Sequence, residues 1–153
     1  MAPISEQEIH NRCERLVYEF LQLLEGEQAK TADLFTEDGQ AFRYVGRERI
    51  REHFAEIAAV DDNLNVLLCS NLLIDVDDED HARATNYVTH YVADRQDEGL
   101  TDPEGARIGG ELDTARSITR WFWEFRRVDD EWLVSKIGYP EPVLLRKDVI
   151  DDL

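Results

Sequence analysis

His90 stands in an alternating segment, Ala82 to Ala93, whose period of two puts Asn86, Val88, His90 and Val92 on one face and Tyr87, Thr89 and Tyr91 on the other. An imidazole in that setting is a candidate general base or acid, because its ordinary pKa of about 6.5 lets it exchange a proton near neutrality. The competing reading is a histidine satisfied by hydrogen bonds in a polar pocket. Asn86 can orient a substrate carbonyl, although an inward amide is more often structural. Trp121 and Trp123, with Thr119, share a face of a later strand. An indole pair offers a flat ligand large contact area and two N–H donors, and serves equally well as filled core or as a dimer surface. Arg43 can bind an anion or pair with a carboxylate such as Glu25. Tyr44 follows it, and Tyr18 on the first helix can donate its hydroxyl or merely flank the buried stripe.

Other chemistries lack their residues. Cys13 and Cys69 have none of the paired spacing of a zinc site, and no set of His, Asp, Glu and Cys has convincing metal spacing. There is neither a glycine-rich phosphate loop after a strand nor a serine nucleophile elbow. No cofactor and no metal are therefore expected. His10, His53 and His81 fall on helices or a turn and are expected to be solvated or half buried. A net charge of −17, from 34 acidic and 17 basic side chains, repels phosphate backbones and disfavours nucleic acid as a partner. Acidic runs at Asp75 to Asp80 and Asp148 to Asp152 are most simply solvated faces. No apolar run approaches the roughly 20 residues that span a bilayer, and MAPISEQEIHNR lacks the features of a secretory signal. A cytoplasmic protein with reduced core cysteines is expected.

The elements that would position these groups are legible in order. Ser5 and Glu8 make a capping-box pattern with Ile4 and Ile9 as its staple. The first helix follows, with an apolar face of Ile9, Cys13, Leu16, Val17, Phe20 and Leu24, ending at Gly26. A second helix is predicted over Glu27–Phe35, a junction at Asp38-Gly39, a strand from Gln40 to Tyr44, and a third helix after Gly46 that buries Ile50, Phe54 and Ile57. Long strands are predicted over Asn65–Val76, Ala82–Ala93, Ala115–Val128 and Trp132–Ile137, paired as two hairpins. The chain reads as one domain, 1–153. Its 95–113 loop is either a lid or disordered, and a tail occupies 139–153. Helices followed by antiparallel strands imply an α+β domain with one sheet face on the helices. Bulky groups on both faces of the last long strand, Ile118 and Phe122 opposite Trp121, Trp123 and Phe125, point to a homodimer through the outer face.

The blocks ADLFTEDGQAF, GRERIREHF, SNLLIDVDDEDHARATNYVTHY and EFRRVDDEWLVSKI, in that order, resemble the nuclear transport factor 2-like superfamily. They are similar in particular to SnoaL-like polyketide cyclases, scytalone dehydratase and the small subunits of ring-hydroxylating dioxygenases. They span most of the chain between Phe20 and Ile137. The resemblance implies a cone-shaped, strongly curved sheet packed against three N-terminal helices, as in the cystatin-like fold, with a ligand pocket at the open end. Scytalone dehydratase-like members use a tyrosine and an aspartate near the end of the first helix, histidines on the central strands and a tyrosine after the second helix. Anchored on Leu34-Phe35, that aspartate falls on Leu24 and the strand tyrosine on Arg43; a slip of one residue brings Glu25 and Tyr44 instead. The histidine that usually precedes the central Ser-Asn falls on Leu67. The same alignment turns the His90 face inward.

Two functions compete. One is a cofactor-independent lyase or isomerase acting on a hydrophobic aromatic or polyketide-like ligand. There His90 transfers the proton, and Arg43, Tyr44 or Asn86 polarises an oxygen. Trp121 and Trp123 clamp the ring, with Tyr18, Leu67, Val88 and Thr119 completing the pocket. The other is a noncatalytic ligand-binding module or an accessory subunit like those of the dioxygenases, for which leucine at position 67 is easier to understand. The tail PEPVLLRKDVIDDL is loosely similar to the apolar C-terminal extensions of those subunits.

Overall fold

A computed structural model describes residues 4–94, 101–106 and 109–153, so residues 95–100 and 107–108 of the expected lid lie outside it. Helix α1 (Glu6–Gly26) starts where Ser5 accepts the Glu8 N–H at 3.1 Å and buries Ile9, Cys13, Leu16, Val17, Phe20 and Leu21. Gly26 is its last helical residue; Glu27 caps it, donating its N–H to Leu23 O. Residues Gln28–Leu34 form a 3-10 stretch where an α-helix was expected. The Thr31 hydroxyl, 2.6 Å from Gln28 O, ties it together locally.

Strand β1 (Phe35–Ala41) begins five residues before the expected start, because Phe35 already pairs in parallel with Val134. Asp38-Gly39 therefore lies inside β1, at an irregularity in the pairing between Phe35 and Gln40, and is no helix–strand junction. A Cβ on Gly39 would sit 3.0 Å from both the Phe35 ring and Thr36 O. The turn instead falls at Phe42 and Arg43, with Phe42 at φ 56°, before β2 (Tyr44–Val45). Gly46, at φ 96°, then caps α2 (Arg47–Val60).

The long strands are β3 (Asn63–Val76), β4 (His81–Asp94), β5 (Ser117–Val128) and β6 (Glu131–Ile137). In the expected tail, Glu141–Leu145 forms β7 and Lys147–Asp151 a short α3. One sheet runs β2-β1-β6-β5-β4-β3, antiparallel except for β1 with β6. Strands β6 and β7 share an edge of β5: β6 pairs from Trp123 to Val128, β7 from Ser117 to Arg120. The curved sheet is the α+β, cystatin-like architecture expected, with the helical elements on its inner face.

The core lies between that face and the helices. Phe20, with no exposure, meets Phe35, Phe54, Trp121 and Trp123 edge to face at centroid distances of 5.4 to 6.1 Å. Outside, β3 exposes Val66, Leu68 and Leu73. No helix among the described residues is long and apolar enough to cross a membrane. Cys13 is buried and Cys69 half-buried, and they form no disulfide; burial pushes the Cys13 thiol up to about 12, which makes it inert.

Candidate functional site

Where the C-terminal ends of α1 and α2 face β3, β4 and β5, a cleft of about 230 Å³ opens. Leu24, Phe54, Ile57, Leu67 and Trp121 form its apolar wall, and Gln28, Asp61, Asn65 and His90 its polar end. Each element delivers its residue for a plain reason. Strand alternation brings His90 to the inner face beside buried Val88, and β3 pairs Leu67 with His90 and Asn65 with Val92. Asp61 is the C-cap of α2, and Gln28 follows the end of α1.

Most of the polar end is hydrogen-bonded. Asp61 Oδ1 accepts the Asn63 N–H at 2.9 Å, while Oδ2 accepts from Asn65 Nδ2 at 2.9 Å and Gln28 Nε2 at 3.3 Å. Asn65 Oδ1 lies 2.8 Å from His90 Nε2. Gln28 Oε1 is buried without a partner. Burial pushes the Asp61 carboxyl up, but the bonds from Asn63, Gln28 and Asn65 outweigh it and leave the pKa below the ordinary carboxylate value. His90 is lowered, first by burial and then by the charge of Arg116, against a smaller opposing pull from Asp61. The imidazole is therefore neutral at pH 7, the form a base needs.

Three of the expected site residues meet here: His90, Leu67 and Trp121. The others lie elsewhere. Asn86, 2 % exposed, is locked in the core, accepting the Trp123 indole N–H at 2.8 Å and donating to Cys69 Sγ at 3.2 Å. It does not line the cleft. Trp123 is 1 % exposed and stacks on Phe125, so it belongs to the core, and one indole rather than two faces the cleft. Val88 is likewise core. The Thr119 hydroxyl accepts the Trp121 N–H at 2.8 Å, which fixes that ring and removes its donor.

Arg43 lies exposed in the β1–β2 turn, and Tyr44, in β2, is half-buried against the core; neither lines the cleft. The Arg43 guanidinium donates to the Tyr44 hydroxyl at 3.0 Å, and Tyr44 stacks on His53 at 3.9 Å. Tyr18 is exposed, 44 % accessible, in an acidic groove along α1 with Glu14 and Glu19. Leu24 lines the cleft, whereas the Glu25 carboxylate accepts the Leu67 N–H at 2.9 Å and does not pair with Arg43. Of the two positions weighed on the first helix, Leu24 is the one that lines the cleft.

Sequence reasoning passed over Asn65, Asp61 and Gln28. Asn65 was accessible to it, since it sits two residues before Leu67 and shares its face. Asp61 and Gln28 carry no local signal, because only tertiary packing joins the ends of α1 and α2. Larger hollows run along α1, about 690 Å³, beside β1 and the β5–β6 turn, about 480 Å³, and on the outer sheet face, about 460 Å³, and none of them includes a histidine. Among the described residues no cluster of His, Cys, Asp and Glu could hold a metal.

A model of the SnoaL-like domain family matches residues 6–137. No curated protein matches the chain. Among solved structures, a protein provisionally named scytalone dehydratase from Novosphingobium aromaticivorans is 16 % identical with a TM-score of 0.68, over 90 % of this chain and 86 % of that one. A Catenulispora acidiphila protein in complex with S-DNPA is 18 % identical with a TM-score of 0.67, over 90 % and 95 %. A cystatin-like-fold protein of unknown function from Nostoc punctiforme is 18 % identical with a TM-score of 0.64, over 92 % and 94 %. At these identities the likeness is one of fold.

Proposed function

Because the chain belongs to the SnoaL-like domain family, we propose that it binds a small hydrophobic ligand in the cleft beside Trp121 and that His90 moves a proton on it, as a cofactor-independent lyase or isomerase. The observation that carries this reading is a single neutral imidazole at the polar end of an otherwise apolar cleft. A volume of about 230 Å³ favours a ligand of one or two rings over an extended polycycle. Neither Arg43, Tyr44 nor Asn86 is placed to polarise its oxygen, so His90 is the one expected catalytic group that the cleft retains.

On an identified substrate, His90→Ala should lower turnover by about 10²-fold or more with the fold intact. The pH profile of kcat/KM should keep its plateau to below pH ~6.5, the ordinary histidine value, since a lowered pKa keeps the base unprotonated further into acid. Unchanged turnover in the variant would refute the assignment. A noncatalytic ligand-binding or accessory-subunit role is favoured by one specific observation, the leucines at positions 24 and 67, where catalytic relatives are expected to carry aspartate and histidine. It predicts ligand binding without turnover. We further propose that the apolar outer face, with Val66, Leu68 and Leu73, pairs two copies of the chain, and that the protein works in the cytoplasm, where its two unpaired thiols stay reduced.

A further inference from the structure

Asp61, Asn65 and His90 form a line of hydrogen bonds whose direction is set by its first member. An ionised carboxylate has no proton to give, so the 2.9 Å bond at Asp61 Oδ2 obliges Asn65 to present its NH2 group there. The Asn65 carbonyl oxygen then faces His90 Nε2 at 2.8 Å, and that oxygen can only accept. Turning the amide over would set oxygen against carboxylate and lose that bond. We infer that Asp61 and Asn65 are positioning residues that hold neutral His90 as its Nε2–H tautomer, which makes Nδ1 the atom through which it takes a proton. The role of Nδ1 rests on the proton transfer proposed above; the tautomer does not.

Local turn structure does not account for the line. Asp61 Oδ1 alone satisfies the turn at Asn63, and Oδ2 is what reaches Gln28 and Asn65. Asp61 also caps the C-terminal end of α2, where exposed carbonyls disfavour a negative charge, so an asparagine would serve the turn better. Among the described residues, the charged groups acting on His90 are Asp61 from the end of α2 and Arg116 from ahead of β5. Strand β3 offers Asn65 and Leu67, α1 offers Leu24 and β5 offers Trp121, all uncharged.

Nitrogen and proton NMR of the histidine rings in the full chain, with His90 identified by its loss in His90→Gln, reads the tautomer directly. The wild type should show one Nε2–H state at neutral pH. Asn65→Ala should mix the two tautomers, as should Asp61→Asn, whose amide no longer dictates which way Asn65 faces. An Nδ1–H ring in the wild type or a tautomer population unmoved by Asn65→Ala overturns the inference. Should Asn65→Ala fail to fold, the wild-type and Asp61→Asn spectra decide. None of these readouts needs turnover, so loss of the proposed reaction and loss of the relay are separable results.

Discussion

Two inward polar residues on one strand, Asn86 and His90, ended with opposite duties. Alternation assigned them the same face and could say no more, because depth along the strand depends on what packs above it. Asn86 is buried, and its carbonyl satisfies the Trp123 indole N–H in the middle of the core. Asn86→Ala should therefore cost about 1–3 kcal/mol in urea unfolding, the penalty for a buried donor left alone, while ligand affinity at the cleft stays as it was. A variant as stable as the wild type would show that the amide is dispensable. His90 lies four residues on, beyond the end of the core, where the wall opens and Asn65 replaces packed carbon as its neighbour. The tryptophans part in the same way. Trp123 is sealed by Phe20 and Phe125, and Trp121, two residues closer to the open end, reaches the cleft.

At the scale of elements, amphipathic periods located α1, α2 and the long strands well, since burial of one face is what those periods record. Punctuation was less readable. Asp38-Gly39 looks like a turn, yet its glycine is needed because β1 shifts register against β6 where Phe35 folds back over it. Gly39→Ala should destabilise the fold by about 1–3 kcal/mol, since the backbone oxygen of Thr36 at 3.0 Å cannot give way as a flexible side chain would. Gly26→Ala is the control: nothing lies within 4 Å, and a helix-favouring residue at the last turn should be neutral or stabilising by up to about 1 kcal/mol. Equal losses in both, by denaturant melts, would show that steric contact is not the cause. The same early start of β1 moved the turn to Phe42 and Arg43. That shift leaves Arg43 in a turn instead of in the strand expected over Gln40 to Tyr44.

For the molecule as a whole, the family was legible because order and spacing of elements are properties of the entire chain. The cleft was only half legible. Its strand residues follow from alternation, but Gln28, Asp61 and Leu24 arrive from helix ends whose mutual approach no local pattern encodes. The outer face was anticipated as a dimer surface from bulky residues on β5, and β3 adds exposed Val66, Leu68 and Leu73 to it. In sedimentation, the wild type should run at twice its chain mass of 17.8 kDa and Leu68→Lys at the single mass. A wild type that sediments as one chain would remove the dimer proposal.

The parallel pairing of β1 with β6 has a consequence for how the protein comes together. Phe35 must find Val134 across roughly a hundred residues of chain, whereas β3 with β4 and β5 with β6 are joined by short turns. The hairpins can form early, and the contact that ties the first third of the sequence to the last comes late. The cleft draws on distant parts of the chain in the same way, setting Leu24, Gln28 and Phe54 against Leu67, His90 and Trp121. A ligand bound in the proposed cleft would engage only the finished molecule, so it should delay unfolding without hastening the early steps of assembly.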